Sequence, residues 1–423
     1  MIINRKLVPA IQPITSAELL PIEAKKLTNG LPFYQLEGGD QQVVSLQLLF
    51  NAGRWFENKP LQAFLTASLL TEGTLNRSSE EVSEWIDFHG AQLIVDASYD
   101  VSTLSLVCLE KHLEPMLELM DDVLSNAAMR ADELEIKKQI SKQKLQVNQQ
   151  KTDFVAQRMF HNLAFGESHP YGYASTAEKY DAINSKDVQS FRENGYLNSN
   201  SFAILSGNCS QENTIRIKNS LSKLTQSQTQ SATTKKPLQT SFSRSDIDFP
   251  NAQQTSLRFG KPTIGVLHPD FAKLELANAI LGGYFGSRLM SNLREDKGLT
   301  YGVYSRLGSF LNTGYWFVGT DVGKEHREVA LEQIKLEVKN IQEHVVPTDE
   351  LELVRNYMMG KYLSKVDGPF AQAKVYKTLI LHGQSHADFQ RRIDQLLHAT
   401  AEDVQEMAQK YWSMDNMIEV LVG

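Results

Sequence analysis

The segment Ala131-Asp132-Glu133-Leu134-Glu135-Ile136 returns 217 residues later as Thr348-Asp349-Glu350-Leu351-Glu352-Leu353. Asp187-Val188-Gln189 returns as Asp403-Val404-Gln405, and the apolar run ending at Gly207 returns as one ending at Gly423, both at an offset of 216. Three matches in the same order, with spacings that agree to within one residue, point to duplication of a domain of about 200 residues, a size at which one hydrophobic core is complete. Whatever one half folds into, the other must fold into as well.

The join between the copies is polar. Residues 225–234 read TQSQTQSATT and lead into Lys235-Lys236-Pro237, a run too poor in apolar area to order itself. The expected organisation is therefore a first domain over 1–221, a linker over 222–246 and a second domain over 247–423. Within the first copy, Val43–Phe50 predicts a strand and Gln62–Leu70 a helix with Phe64, Leu65 and Leu69 on one face. A helix over Ser78–His89 opens on serine with acids in its first turn. Leu93–Ala97 and Val101–Cys108 predict a strand pair turning at Tyr99-Asp100, and long helices over Glu114–Leu124 and Asp132–Gln150 follow before the closing strand Phe202–Gly207. Hairpin-like strand pairs mixed with long helices predict an α+β fold: two homologous domains, each a largely antiparallel sheet packed by helices, facing each other as a clamshell.

Composition narrows the function classes. A net charge of −7 leaves no basic footprint for DNA or RNA. Two cysteines, Cys108 and Cys209, are too few for a disulfide framework and fit a reducing compartment. The first nine residues hold no apolar core of signal-peptide length, and nowhere do 18 apolar residues run together. The expectation is a soluble, cytoplasmic protein without nucleic acid or membrane as partners.

The most distinctive stretch runs from Gly286 to Tyr301. Leu289, Asn292, Leu293 and Asp296 fall at helical spacing, Gly298 supplies a φ > 0 stop, and Tyr301–Tyr304 reads as extended. Arg288 therefore sits near a helix start and Tyr301 at a strand entrance. Taken by themselves, a solvated arginine and a core-edge tyrosine explain these two residues as well as a functional pair does.

Five features in order then carry a resemblance: Thr28-Asn29-Gly30-Leu31-Pro32, Asn51-Ala52-Gly53-Arg54, Glu72-Gly73-Thr74, His169-Pro170-Tyr171-Gly172, and the Arg288 to Tyr301 segment. With them the chain resembles the insulinase/pitrilysin family of inverted-motif zinc peptidases, in its short two-domain form, over nearly its whole length. Active members carry His-x-x-Glu-His on the helix before the Gly-Thr, two histidines one turn apart for zinc and a glutamate to activate water. Here Ala63, Thr66 and Ala67 stand at those positions, and no histidine occurs before His89. The family's third ligand, a glutamate, is expected near Lys144, within a stretch after Ile136 that holds lysines and no acid until Asp153. Lysines there repel a divalent cation. The resemblance thus implies no metal bound by this chain.

In family members that work in pairs, an arginine and a tyrosine thirteen residues apart contact the substrate opposite the zinc. Arg288 and Tyr301 have that spacing. The resemblance implies a non-zinc subunit that lends these two residues in trans to a zinc-bearing homologue, with zinc expected in that partner and unfolded peptides as substrate. An inactive scaffold or peptide-binding protein, including a homodimer, stays open as the alternative. The strand pair from Gly90 to Cys108 resembles the one that receives substrate as an added strand, which makes Ala91, Ala97 and Tyr99 candidate contacts; ordinary sheet interior is the competing reading. Glu72, His169 and the pair His382 and His386 are expected in loop, turn or helix-end roles, and Gly282, Gly283 and Gly286 in close packing at a helix start, since no Gly-Lys-Ser/Thr follows them.

Overall fold

The structure is a computed structural model and describes residues 14–198, 200–226 and 236–423. The centre of the expected linker, 227–235, and the first thirteen residues lie outside these. Six strands form the first sheet: β1 (Glu23–Lys26), β2 (Pro32–Glu37), β3 (Val43–Phe50), β4 (Gln92–Ala97), β5 (Ser102–Leu109) and β6 (Ser201–Gly207), in the order β1-β2-β6-β3-β5-β4. Five form the second: β7 (Arg244–Ile247), β8 (Gln254–Thr263), β9 (Thr300–Ser309), β10 (Gly314–Gly323) and β11 (Ile418–Val422), in the order β7-β11-β8-β10-β9. Apart from the extra β1 the two orders are the same, with one parallel pair each, β2 with β6 and β7 with β11. Because β7 pairs with β11 from Arg244 onward, the second sheet begins three residues before the boundary expected at 247.

The helices of the first half are α1 (Gln62–Leu70), α2 (Ser79–Phe88), α3 (Leu113–Asn126), α4 (Ala131–Asn148), α5 (Thr152–Phe165), α6 (Ala177–Asp181), α7 (Ser185–Arg192) and α8 (Gln211–Leu221). Those of the second are α9 (Phe271–Asn278), α10 (Arg327–Glu343), α11 (Thr348–Lys365), α12 (Gly368–Leu381), α13 (His386–His398) and α14 (Ala401–Tyr411). The repeated sequence matches have a physical meaning. Asp187 closes a capping box with Asn184 at the head of α7, and Asp403 closes one with Thr400 at the head of α14. Each capping aspartate also takes a lysine, Lys59 at 2.8 Å and Lys273 at 2.7 Å. What recurs along the chain is a helix-start device.

The duplicated halves are locked together by exchange. Helix α5 leaves the first half and packs on β8 and β11 of the second sheet, while α12, 216 residues later, packs on β6 and β2 of the first. Phe160 and Phe165 of α5 join Trp55, Tyr315, Phe317, Ile418 and Val420 in a shared core, with Phe160 5.2 Å from the Phe317 ring. On the other side Gln372 of α12 accepts the Leu20 N–H at 2.6 Å, and Lys377 donates to Thr103 at 3.0 Å. Strand β4 stands at one end of the first sheet and β9 at one end of the second, and the outer side of β9 is met by Met290, which takes the Val303 N–H, and by Asn278, which donates to the Ser305 carbonyl at 3.3 Å. No described helix is long and apolar enough to cross a membrane.

Candidate functional site

Helix α1 occupies the position of a metal-binding helix without its donors. Ala63 and Thr66 are fully buried and Ala67 nearly so, packed into the core that includes Leu134 and Leu145 of α4. Alanine has no lone pair to offer, and the Thr66 hydroxyl lies 3.5 Å from the Val188 carbonyl oxygen. Leu61, at φ 78°, gives α1 no side-chain cap. Glu57 takes that role instead: its Oε1 accepts the Ala63 N–H at 2.9 Å and its Oε2 the Tyr173 hydroxyl at 2.7 Å. Burial pushes the Glu57 carboxyl above its usual range. This carboxylate serves helix capping.

On α4, Lys144 is exposed, and the lysine turned inward is Lys138, 4 % exposed and paired with Glu135 at 2.7 Å. Among the described residues, no three or more His, Cys, Asp or Glu side chains are grouped to hold a metal. The side chains that α1 and α4 present therefore do not fit a zinc ion. Glu72 is spent on Lys137 at 2.7 Å and on the Ser79 hydroxyl at 3.0 Å.

Arg288 and Tyr301 lie on either side of a wide, π-helical turn over Met290–Asp296 that ends at Gly298, φ +61°. Arg288 forks onto Glu350 in the first turn of α11, Nε to Oε1 at 2.8 Å and Nη2 to Oε2 at 2.7 Å. This bond raises the Arg288 pKa further. Tyr301 stands 88 % exposed at the start of β9, with the Arg294 guanidinium 5.1 Å over its ring. That guanidinium also covers Phe285, at 4.6 Å. The two candidates thus have different neighbours. Glu350 and Arg294 were not singled out from the sequence, although Glu350 belongs to the repeated acidic segment.

Of the residues expected along the first sheet's edge, Ala91 and Ala97 are half-buried against the first-half core. Tyr99 is elsewhere. Its ring lies 4.7 Å from Phe310 of the β9–β10 turn, beneath the Arg54 guanidinium at 4.9 Å. The neighbouring Asp100 accepts the Leu311 N–H at 3.1 Å, so the two hairpin tips dock. His169 accepts the Tyr171 N–H at 3.1 Å and meets the Trp55 ring edge-on, 5.6 Å between centroids. His382 ends α12 and His386 begins α13, the helix-end roles expected of them.

Comparison with known proteins assigns the architecture. The insulinase (peptidase family M16) model matches residues 37–174, and the peptidase M16 inactive-domain model matches residues 182–358. The chain belongs to the insulinase/pitrilysin family. Within it, the chain is of the type without the zinc motif. It is 23% identical over 402 residues to an uncharacterized zinc protease of Rickettsia bellii, covering 92% of this chain and 94% of that one. It is also 27% identical over 308 residues to the non-peptidase homolog YmxG of Helicobacter pylori, covering 70% and 69%. The structure of a peptidase M16 inactive domain from Pseudomonas fluorescens shares the fold, with a TM-score of 0.86, 24% identity and coverage of 96% of this chain and 98% of that one.

Proposed function

We propose that this chain is the non-zinc subunit of a paired peptidase, holding an extended peptide and lending Arg288 and Tyr301 to the reaction centre of a zinc-bearing homologue. The observation that carries this reading is Tyr301, an almost fully exposed phenol at the entrance of the terminal strand of the second sheet, thirteen residues after an oriented arginine. A tyrosine whose one recorded contact among the described residues is Arg294 is placed to find a partner in another chain. The Glu350 fork engages Nε and Nη2 and leaves Nη1 outside it. Glu350 thereby orients the guanidinium while one donor nitrogen stays free for a substrate carbonyl. A guanidinium and a phenol fixed near a developing oxyanion lower its barrier by a few kcal/mol. Zinc and its activated water belong to the partner. Cys108 and Cys209 are free and buried, which agrees with a reducing compartment and a cytoplasmic location.

The same fork favours a second reading. Glu350 neutralises Arg288, as suits a scaffold or peptide-binding protein in which the arginine only fastens α11.

Mixing this protein with a zinc-bearing homologue from the same organism separates the two. The paired reading expects peptide cleavage well above that of the homologue alone, lost with Arg288→Ala and reduced with Tyr301→Phe. No gain on mixing, or full cleavage by both variants, overturns it. A stable homodimer that ignores the zinc-bearing chain supports the scaffold.

A further inference from the structure

A cavity of about 600 Å³ is lined by residues of both halves. Arg54, Lys151 and Arg158 line it from the first half, Arg258 and Arg306 from the second, and the one carboxylate among its lining residues is Asp153. Lys151 and Arg306 are exposed, Arg54 and Arg158 half-buried, and Arg258 only 4 % exposed. Among the described residues, none of the five cations is in an ion pair, in a chain whose net charge is −7. The hydrogen bonds they make go to neutral acceptors. Arg54 donates to the Tyr173 carbonyl at 3.0 Å, Lys151 to the Asn148 side chain at 3.1 Å, and Arg158 to the Ser175 hydroxyl at 3.2 Å and to its carbonyl. Arg258 donates to Gln157 at 3.3 Å and to the carbonyls of Leu257 and Asp153 at 2.9 and 3.4 Å. Glu57, within electrostatic reach of Arg54, spends its two oxygens on the Ala63 N–H and the Tyr173 hydroxyl.

Burying a guanidinium without a counter-charge is unfavourable, and crowding several together adds repulsion. Aromatic faces hold the cations in place: Arg54 lies 3.7 Å over Tyr173, Arg158 5.0 Å over Phe154, and Arg258 6.0 Å over Tyr304. What the cluster lacks is an anion.

One wall residue narrows the chemistry. Phe154, Gln157, Arg158 and His161 line the cavity from α5 at positions i, i+3, i+4 and i+7, one face of that helix. The Nδ1 of His161 faces the Tyr171 carbonyl oxygen at 3.2 Å, so the ring proton sits there and Nε2 is left as an acceptor. That Nε2 is buried and has no hydrogen-bond partner. Burial first, and the like charges of Arg54 and Arg306, keep the ring neutral by holding its pKa down to about 4. A ligand that satisfies this wall brings negative oxygens for the guanidiniums and one O–H for a nitrogen lone pair. Ionised carboxylates and sulfate have no proton to give, whereas hydrogen phosphate has both groups. We propose that this cavity binds free inorganic phosphate, held as hydrogen phosphate between Arg54 and Arg306 with its O–H donated to His161 Nε2. Arg158 and Arg258 add positive field around it, and the remaining volume takes bridging water. The site uses neither Arg288 nor Tyr301, so it stands or falls apart from the paired-peptidase reading.

The test is isothermal titration calorimetry on the full chain with inorganic phosphate, sulfate and methyl phosphate at one ionic strength. At about pH 7.5 methyl phosphate has largely lost its O–H, since the second pKa of a phosphate monoester is about 6. Inorganic phosphate is expected to bind about tenfold or more tightly than the other two, because each of them leaves Nε2 unpaired. Arg306→Glu, an exposed change that spares the core, is expected to weaken phosphate binding about tenfold or more. Equal binding of phosphate and sulfate would reveal a cation cluster without selectivity and overturn the site. Methyl phosphate bound as tightly as phosphate overturns the O–H pairing in favour of a phosphate ester. No binding of phosphate, or phosphate bound equally well by Arg306→Glu, overturns the site as well.

Discussion

Arg288 and Glu350 are joined by two parallel hydrogen bonds, at 2.8 and 2.7 Å, across 62 residues of chain. The pair ties the segment before the π-helical turn to the first turn of α11, where a carboxylate also suits the helix dipole. Both side chains are mostly buried, so solvent screens the pair only in part. A double-mutant cycle with Arg288→Ala and Glu350→Ala is expected to give a coupling of about 1–2 kcal/mol by urea denaturation. Additive losses would show that the fork does not position Arg288.

Phe160 reports the exchange of helices. It is fully buried and belongs to α5, yet its ring meets Phe317 of the other half. Phe160→Ala is expected to cost about 3–5 kcal/mol and to lower the stability of both halves together, in one cooperative transition. Two separated calorimetric transitions would contradict the locking role of α5 and α12. For the same reason, cleavage between 227 and 235 is expected to leave fragments that co-elute on size exclusion.

His161 makes stability depend on pH. Burial chiefly, with Arg54 and Arg306 repelling the cation, holds its pKa down to about 4, against the bond to the Tyr171 carbonyl that favours the charged form. The unfolded chain takes up this proton near pH 6.5, the folded one only near 4. Stability is therefore whole above about pH 6.5, falls through the window down to pH 4 and levels off below it. The loss is expected to reach up to about 3 kcal/mol. His161→Gln should flatten that segment of the profile in denaturant titrations, and an unchanged slope would assign it to other groups.

Installing the motif on α1 is not expected to make a zinc site. With Ala63→His, Thr66→Glu and Ala67→His, the side chains enter a filled core at a cost of about 1–3 kcal/mol each, and α4 still presents Lys138 and Leu145. Metal analysis after dialysis is expected to find no stoichiometric zinc, and a chelator no shift in Tm for either the parent or the triple variant. One bound zinc per chain would show that α4 supplies a ligand after all.

Much of the fold was legible because it depends on local patterning and on repetition. Strand β3 falls on its apolar run and helix α1 on its expected bounds, although Phe64 points outward, 41 % exposed, rather than packing with Leu65 and Leu69; the capping serines and aspartates mark helix starts, and Gly298 ends its turn at positive φ as its position required. The loss of donors at Ala63, Thr66 and Ala67 was equally plain, since it depends on residue type alone. Neither the partner of Arg288 nor the inward lysine of α4 could be read this way. Lys144 and Lys138 look alike in sequence, and only the packing of α4 against the core turns one outward and buries the other.

By itself the sequence determined that this protein is a duplicated α+β domain of the insulinase/pitrilysin family whose metal helix cannot ligate, because side-chain chemistry and local periodicity are properties of neighbours along the chain. Tertiary structure alone decided that α5 and α12 trade sheets, that Glu350 takes Arg288, and that Arg54, Arg158, Arg258 and Arg306 converge on one cavity. Those relations join residues up to hundreds of positions apart, and burial and Coulomb forces act between them only once the two sheets have been brought together.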